Sequence, residues 1–370
     1  MTNKYSEADR PDDVLNPEGA STILLGFDWG TNKSCIHASY AGTTEVLISA
    51  VIPTVVGYAS EGIVDNLLPG NAKVLFGQEA LKHRLHLRLV APMVNGSLKD
   101  LPAARDFARH IRDLINPPAG TDIRAVIGIP ANANVAMIDA IKQTVSGLFD
   151  RVLLIPEPFL AALGFRDEAR LGSPDYVDPV HNSLFVDIGA GTTDICLVQG
   201  YYPTSKELVS IPFAGDTVDA LLGDAIKQSY PDTELSVLKV REIKEQYSFV
   251  GSMDSPIMVG VVVGGKRRTL DLGTQIGTAC TELLNNVFET SQILITRASS
   301  DSVSELLQNI IITGGGSKIR HLDSELQRML TEAGYDNPRV RVAGDNYKEF
   351  VAKGALKAAR QARENQWQNL

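Results

Sequence analysis

Cysteine is scarce in this chain. Its 370 residues hold three, Cys35, Cys196 and Cys280, and no two have the spacing of a zinc site or a disulfide framework. A reducing compartment fits that pattern. Basic residues are outnumbered as well, 35 Lys and Arg against 44 Asp and Glu, for a formal net charge of −9. The chain therefore lacks the electrostatic footprint of a general nucleic-acid binder, and no specific nucleic-acid partner is expected. Long apolar runs are missing: none reaches the roughly 18 to 20 residues a membrane span needs, so no transmembrane segment is predicted. The segment 1–20 is polar, with two prolines and no apolar stretch. That excludes a typical signal peptide and predicts a disordered tail.

What is present is ordinary globular material: 44% hydrophobic and 21% charged residues, in a chain long enough for two domains. One basic cluster stands out, Lys82, His83, Arg84 and Arg88 interleaved with Leu81, Leu85, Leu87 and Leu89. It is expected to be a basic helix face, with a lipid or polymer contact as the alternative.

The main organisational signal is a repeat. Ile23 to Tyr40 reads as strand, glycine-centred turn, strand, and residues 184–198 repeat that grammar. Each apolar run delivers an Asp, then Gly two residues later, then Thr: Asp28-x-Gly30-Thr31 and Asp187-x-Gly189-x-Gly191-Thr192-Thr193. Two such hairpins predict two similar domains whose tips face a shared ligand. Between and after them strands alternate with helices, which predicts an α/β fold with helix-flanked sheets. Domain I is expected over 21–186 plus 345–370, with a smaller subdomain at about 50–100. Domain II is expected over 187–344, with a smaller subdomain at about 216–270. Pro256–Val263 and Arg267–Leu272 read as a hairpin around Gly264-Gly265. The end of the chain beyond the last helix, Tyr347 to Arg363, is polar and expected to fray.

A tip of Asp, Gly and Thr suits phosphate. Glycine lets the backbone approach oxygen closely, while tip N–H groups and Thr hydroxyls donate hydrogen bonds. Asp28 and Asp187 would repel phosphate unless a cation lay between, and Mg2+ prefers oxygen ligands, often through water. The strand Asn309–Thr313 running into Gly314, Gly315 and Gly316 would let a nucleotide lie flush against the backbone. Gly260 to Lys266 imitates the start of a P-loop, but Arg267 stands where Ser or Thr would bind the cation, so a hairpin turn is the reading. His83 and His86 lack acidic or Cys partners at metal-binding spacing.

These hairpins, with NIIITGGGSKI at 309–319, resemble the phosphate and adenosine motifs of the actin, heat-shock ATPase and sugar-kinase superfamily, whose fold is ribonuclease H-like. Within it, AVIGIPANA, EPFLAALGF, VDIGAGTTDIC, REIKEQYSFVG and LQNIIITGGGSKIR are most similar to bacterial actins, above all the MamK magnetosome group and then the MreB cell-shape group. The resemblance implies ATP or ADP with Mg2+ in an interdomain cleft, Asp28 and Asp187 organising the metal through water, and Glu157 orienting the attacking water. It assigns Gly30, Thr31, Asn32, Gly189, Gly191, Thr192 and Thr193 to the phosphates. Arg241, Lys244 and Glu245, on one helix face, fall to the adenosine, as do Gly314, Gly315, Gly316 and Lys318. It further implies an assembly-linked ATPase in the cytoplasm, a cytoskeletal head-to-tail homopolymer with room for an organelle or cargo adaptor. A monomeric chaperone-like switch and a small-molecule kinase share many of these motifs. Gly354 resembles the small residue at the family's interdomain helix crossing, though a tolerated helix glycine reads the same. Two features depart from the pattern: Trp29 in the first phosphate loop, and the longer link Asp167–His181.

Overall fold

The computed structural model describes residues 22–174, 176–252 and 255–369; the expected tail at 1–20 lies outside them. The chain opens with β1 (Thr22–Asp28), β2 (Lys33–Tyr40) and β3 (Ile48–Pro53), an antiparallel meander. A small excursion follows: β4 (Val56–Ala59), β5 (Val74–Phe76), α1 (Gly77–Lys82), β6 (Leu87–Val90) and the short hairpin β7 (Met93–Val94) and β8 (Ser97–Leu98). The path then returns through α2 (Leu101–Ile115), β9 (Asp122–Ile129), α3 (Val135–Val145), β10 (Arg151–Pro156) and α4 (Glu157–Phe165). The first sheet has the order β18-β10-β9-β1-β2-β3, where β18 is Gln368–Asn369. Strand β1 lies between parallel β9 and antiparallel β2, so TILLGF is buried on both faces and reads as an unbroken apolar run. Helix α2 presents Ala103, Ala104, Phe107, Ala108, Ile111 and Ile115 to the core, the spacing of one helix face. Asp100 caps it by accepting from Ala103 N at 2.9 Å.

The second half repeats the plan. It contains β11 (Ser183–Ile188), β12 (Thr193–Val198), β13 (Leu208–Ile211), α5 (Gly215–Ser229) and α6 (Val237–Tyr247). Next come the hairpin β14 (Met258–Val263) and β15 (Lys266–Asp271), then α7 (Gly273–Ile295) and α8 (Val303–Leu307). The chain closes with β16 (Ile310–Thr313), α9 (Leu322–Glu332), β17 (Val340–Val342), α10 (Tyr347–Gln361) and β18 (Gln368–Asn369). The second sheet has the order β13-β12-β11-β16-β17. The P-loop imitation is the β14–β15 turn, with Gly264 at φ 55° and Gly265 at φ 77°; two central residues of positive φ match the twist of a two-residue hairpin.

Helix α10 packs on both α4 and β1, and glycine makes the crossing possible. A Cβ on Gly354 would sit 1.8 Å from Leu160 O, and one on Gly164 1.9 Å from Phe350 O. Gly354 is therefore the residue of closest helix approach rather than a tolerated helix glycine.

Two expectations fail. The basic cluster is not one helix face: α1 stops at Lys82, a single 3-10 turn covers Arg84–His86, and Leu87–Val90 is a strand. Leu85 lies exposed in the 3-10 turn while Leu87 and Leu89 belong to the strand, so the cluster is spread over three elements. The polar end does not fray either. Gln368 and Asn369 pair with Val152 and Arg151, Trp367 is buried, and Glu364 receives Arg124 and Arg151. The longer link is also anchored: Arg166 donates through Nε and Nη2 to Asp178 at 3.0 and 2.7 Å, and Lys357 Nζ binds Leu163 O, Arg166 O and Glu168.

Candidate functional site

Between the two sheets lies a cavity of about 380 Å3. Both hairpin tips open into it, with Glu157 from the start of α4, Arg241, Lys244 and Glu245 from α6, Gly314, Gly315 and Gly316 after β16, and Lys318. Of the nominated residues only Thr193 does not line it. Its hydroxyl donates to Phe213 O at 2.7 Å inside the second sheet, because side chains alternate across a strand and Thr192 takes the cleft side.

The tips are tight and touch one another. A Cβ on Gly30 would lie 2.4 Å from Lys33 O, and one on Gly191 2.6 Å from Asn95 Cα and 2.8 Å from Thr31 Oγ1. The turn at Asn95 and Gly96, from β7–β8, thus wedges against both loops, and Gly96 N donates to Thr31 Oγ1 at 3.2 Å. On the other side, Thr192 donates to Asp194 Oδ2 at 2.7 Å, and Asp194 Oδ1 accepts from Ala131 N, just past β9, at 2.9 Å. Asp194 therefore ties the second loop to the first half of the molecule.

The floor is acidic. Burial, then the charge of Asp187, raises the Asp28 carboxyl well above the usual range. Burial raises Glu157 likewise, reinforced by Asp28, Asp194 and Asp187. Asp187 is pushed up to about 7 by burial and by Asp194. Asp194 is also raised by burial, partly offset by the hydrogen bonds from Ala131 and Thr192. Carboxylates enclosed together resist ionising together, and a cation among them would relieve the strain. Among the described residues no three such side chains are placed to ligate an ion directly. The set therefore fits a hard cation held through water rather than a caged metal. Gly128 makes room for Glu157: a Cβ there would meet Glu157 Cγ at 3.0 Å.

The far wall is a charge network. Arg241 sits between Asp219 at 2.8 Å and Asp216 at 2.7 Å, and reaches Asn32 Oδ1 across the cleft at 3.3 Å. Lys244 donates to Gly215 O at 2.7 Å and pairs with Asp219 at 2.8 Å. Glu245 stays exposed at the rim. Lys318, paired with Asp345, and Lys348 lie over the Tyr347 ring at 5.4 and 5.6 Å. Sequence reasoning missed Lys33, Asp194, Asp216, Asp219, Tyr347 and Lys348. Asp194 carried a signal, a lone acid inside the apolar run DICLV. Asp216 and Asp219 carried another, an i, i+3 acidic pair matching the cations of α6.

The MreB/Mbl protein family matches residues 22–366. The actin-like protein MamK of Magnetospirillum gryphiswaldense is 30% identical over 333 residues, 88% of this chain and 87% of that protein. Among solved structures, a MamK double helical filament superposes with a TM-score of 0.83 at 28% identity, covering 92% of this chain and all of that one. A non-polymerising MamK mutant bound to AMPPNP superposes with a TM-score of 0.66 at 28% identity, covering 92% and 99%. The fold, two helix-flanked mixed sheets around a cleft, is actin-like, and the chain belongs to the MreB/Mbl family.

Proposed function

We propose that the chain is a filament-forming ATPase, a cytoplasmic cytoskeletal protein that binds ATP in this cleft. The observation that carries the reading is the convergence of two Asp-x-Gly tips, Glu157 and the triple glycine on one cavity. The similarity to an AMPPNP-bound MamK and to a MamK filament supports it. In this reading domain I comprises 21–186 plus 345–370 and domain II 187–344.

Phosphate oxygens would take backbone N–H groups from both tips and the Thr31 hydroxyl, and the adenosine would lie along Gly314 to Gly316. Asp28 and Asp187 would hold Mg2+ through its waters, and the ion would neutralise phosphate charge as it develops. Glu157 would orient the attacking water and take its proton. The water oxygen bonds to the γ-phosphorus as the bond to the bridging oxygen breaks, and that oxygen leaves with its electron pair on ADP. Subunits would stack head to tail, an interface that propagates without closing, with ATP favouring the polymer and hydrolysis weakening it.

Pelleting and light scattering with Mg-ATP, with ADP and without nucleotide test the reading. The expected result is ATP-dependent polymer that disassembles as phosphate is released. Glu157→Ala is expected to slow release by about 100-fold or more while polymer persists. Tight ATP binding without polymer under any condition would favour a monomeric switch or kinase instead.

A further inference from the structure

Asn95 and Gly96 are the only Asn-Gly pair in the chain, and the fold sets them at the tip of β7–β8. There they close a two-residue turn with φ of 48° and 71°, the backbone that Asn-Gly favours. Asn is a thermolabile residue. It is most so before glycine, because no side chain shields the next backbone nitrogen from the carboxamide. Asn95 is exposed to water, while Gly96 is buried and lines the cleft. Asn182, before Ser183, is the contrast: it is buried, and its amide donates to Ser302 O at 2.9 Å.

We propose that Asn95-Gly96 is a modification site, where spontaneous deamidation to isoaspartate parts the two loops that the turn wedges. The Gly96 nitrogen attacks Asn95 Cγ, the new N–C bond closes a succinimide ring, and the bond from Cγ to the amide nitrogen breaks. That nitrogen leaves as ammonia, taking the Gly96 proton with it. Water then opens the ring at either carbonyl, giving Asp or, with the main chain rerouted through the side chain, isoaspartate. The attacking nitrogen is held in the fold, since Gly96 N donates to Thr31 Oγ1 at 3.2 Å. Thr31 is therefore the restraint on the reaction.

The two products differ in what they disturb. Asp leaves the main chain unchanged and adds a charge at an exposed position, where water and salt screen it. Isoaspartate adds a methylene to the main chain of a turn that is enclosed on both sides. A Cβ on Gly191 would lie 2.6 Å from Asn95 Cα and 2.9 Å from Asn95 N, and one on Gly96 2.7 Å from Pro130 Cγ. The longer turn has no room unless Gly191 and Thr31 move apart.

The full chain is aged at mildly alkaline pH and digested with trypsin, which releases the peptide 89–99. The peptide is weighed and treated with a protease that cuts before Asp but not before isoaspartate. Fresh and aged protein, separated by charge, are compared for ATP affinity with Asn95→Asp, and Asn95→Gln and Thr31→Val are aged alongside. Peptide 89–99 is expected to deamidate, chiefly to isoaspartate, while Asn182 stays intact and Asn95→Gln stays unmodified. Thr31→Val should hasten the reaction by about threefold or more. The isoaspartate form should bind ATP about tenfold or more weakly, and Asn95→Asp within about threefold of fresh protein. An aged chain in which 89–99 is unchanged, or an isoaspartate form that binds as fresh protein does, overturns the proposal. So does Asn95→Asp binding as weakly as isoaspartate, since charge would then be the cause. Only the affinity readout rests on the ATPase reading: fresh protein that binds no ATP overturns that reading, and the peptide map still decides the modification.

Discussion

The two hairpins share a plan and differ in one neighbour each. Both carry an Asp within the last two residues of a buried strand and turn through Gly into a second antiparallel strand. In the first, the residue after Asp is Trp29, 2% exposed and stacked on Phe27 with centroids 5.0 Å apart. In the second it is Ile188, and a Cβ on Gly316 would lie 2.3 Å from Ile188 Cγ2. Both side chains are thus locked into their own cores, and the second is also packed against the glycine turn that follows β16. In the proposed reading a bound nucleotide's asymmetry would arise here: the repeated Asp, Gly and Thr would face the phosphate end twice, and the triple glycine beside Ile188, present once, would face the other end.

The strongest way to break the comparison is at Gly314. Its φ is 78°, and a Cβ there would meet Asp187 Oδ1 and Ile188 O, each at 2.4 Å. Left-handed strain and backbone overlap add, so Gly314→Val is expected to destabilise the protein by about 3–5 kcal/mol, measured by urea unfolding. Gly315→Ala, whose Cβ meets nothing within 4 Å among the described residues, should change stability by less than about 1 kcal/mol. Equal losses at the two positions would mean that the close approach to the second hairpin is not what the triple glycine serves.

Much of this was legible because local and global signals agreed. The hairpins, β9, α2 and β16 show in the sequence as runs whose period matches their burial. What escaped depends on partners distant in sequence. Asp194 matters because Ala131 lies across the cleft, and Lys348 because α10 returns to β2. The anchored end was invisible because two residues of strand carry no period; Trp367, buried among α10 and its neighbours, was the one cue. Thr193 was misassigned for a local reason: a motif lists residues, while a strand gives alternate ones to opposite faces.

The next contrast is electrostatic. Asp187 is pushed up to about 7 by burial and Asp194, whereas an unfolded Asp releases its proton near pH 4. Between those values the folded chain binds more protons, so stability falls as pH rises. For this group alone the loss between pH 5 and 7 should be about 2 kcal/mol, and Asp187→Asn should remove that share of the slope. Asp28, Glu157 and Asp194 are raised too, so a slope of the same sign remains. Unfolding midpoints across pH 5–7 for both proteins check this; a variant as steep as wild type would place the titration elsewhere.

The smallest effect sharpens the comparison most finely. Trp29 fills the first lobe's core, yet its indole N–H is buried without a partner among the described residues. Trp29→Phe removes that unpaired donor while keeping an aromatic ring beside Phe27. The relief of an unpaired polar group, about 1–3 kcal/mol, opposes a packing loss of similar size, and the net change in unfolding free energy is expected to stay within about 1 kcal/mol. A loss well above that would mean that the indole N–H has an acceptor in solution. The first loop would then be held by a polar contact at this position, and the contrast with Ile188 would be one of hydrogen bonding rather than of shape.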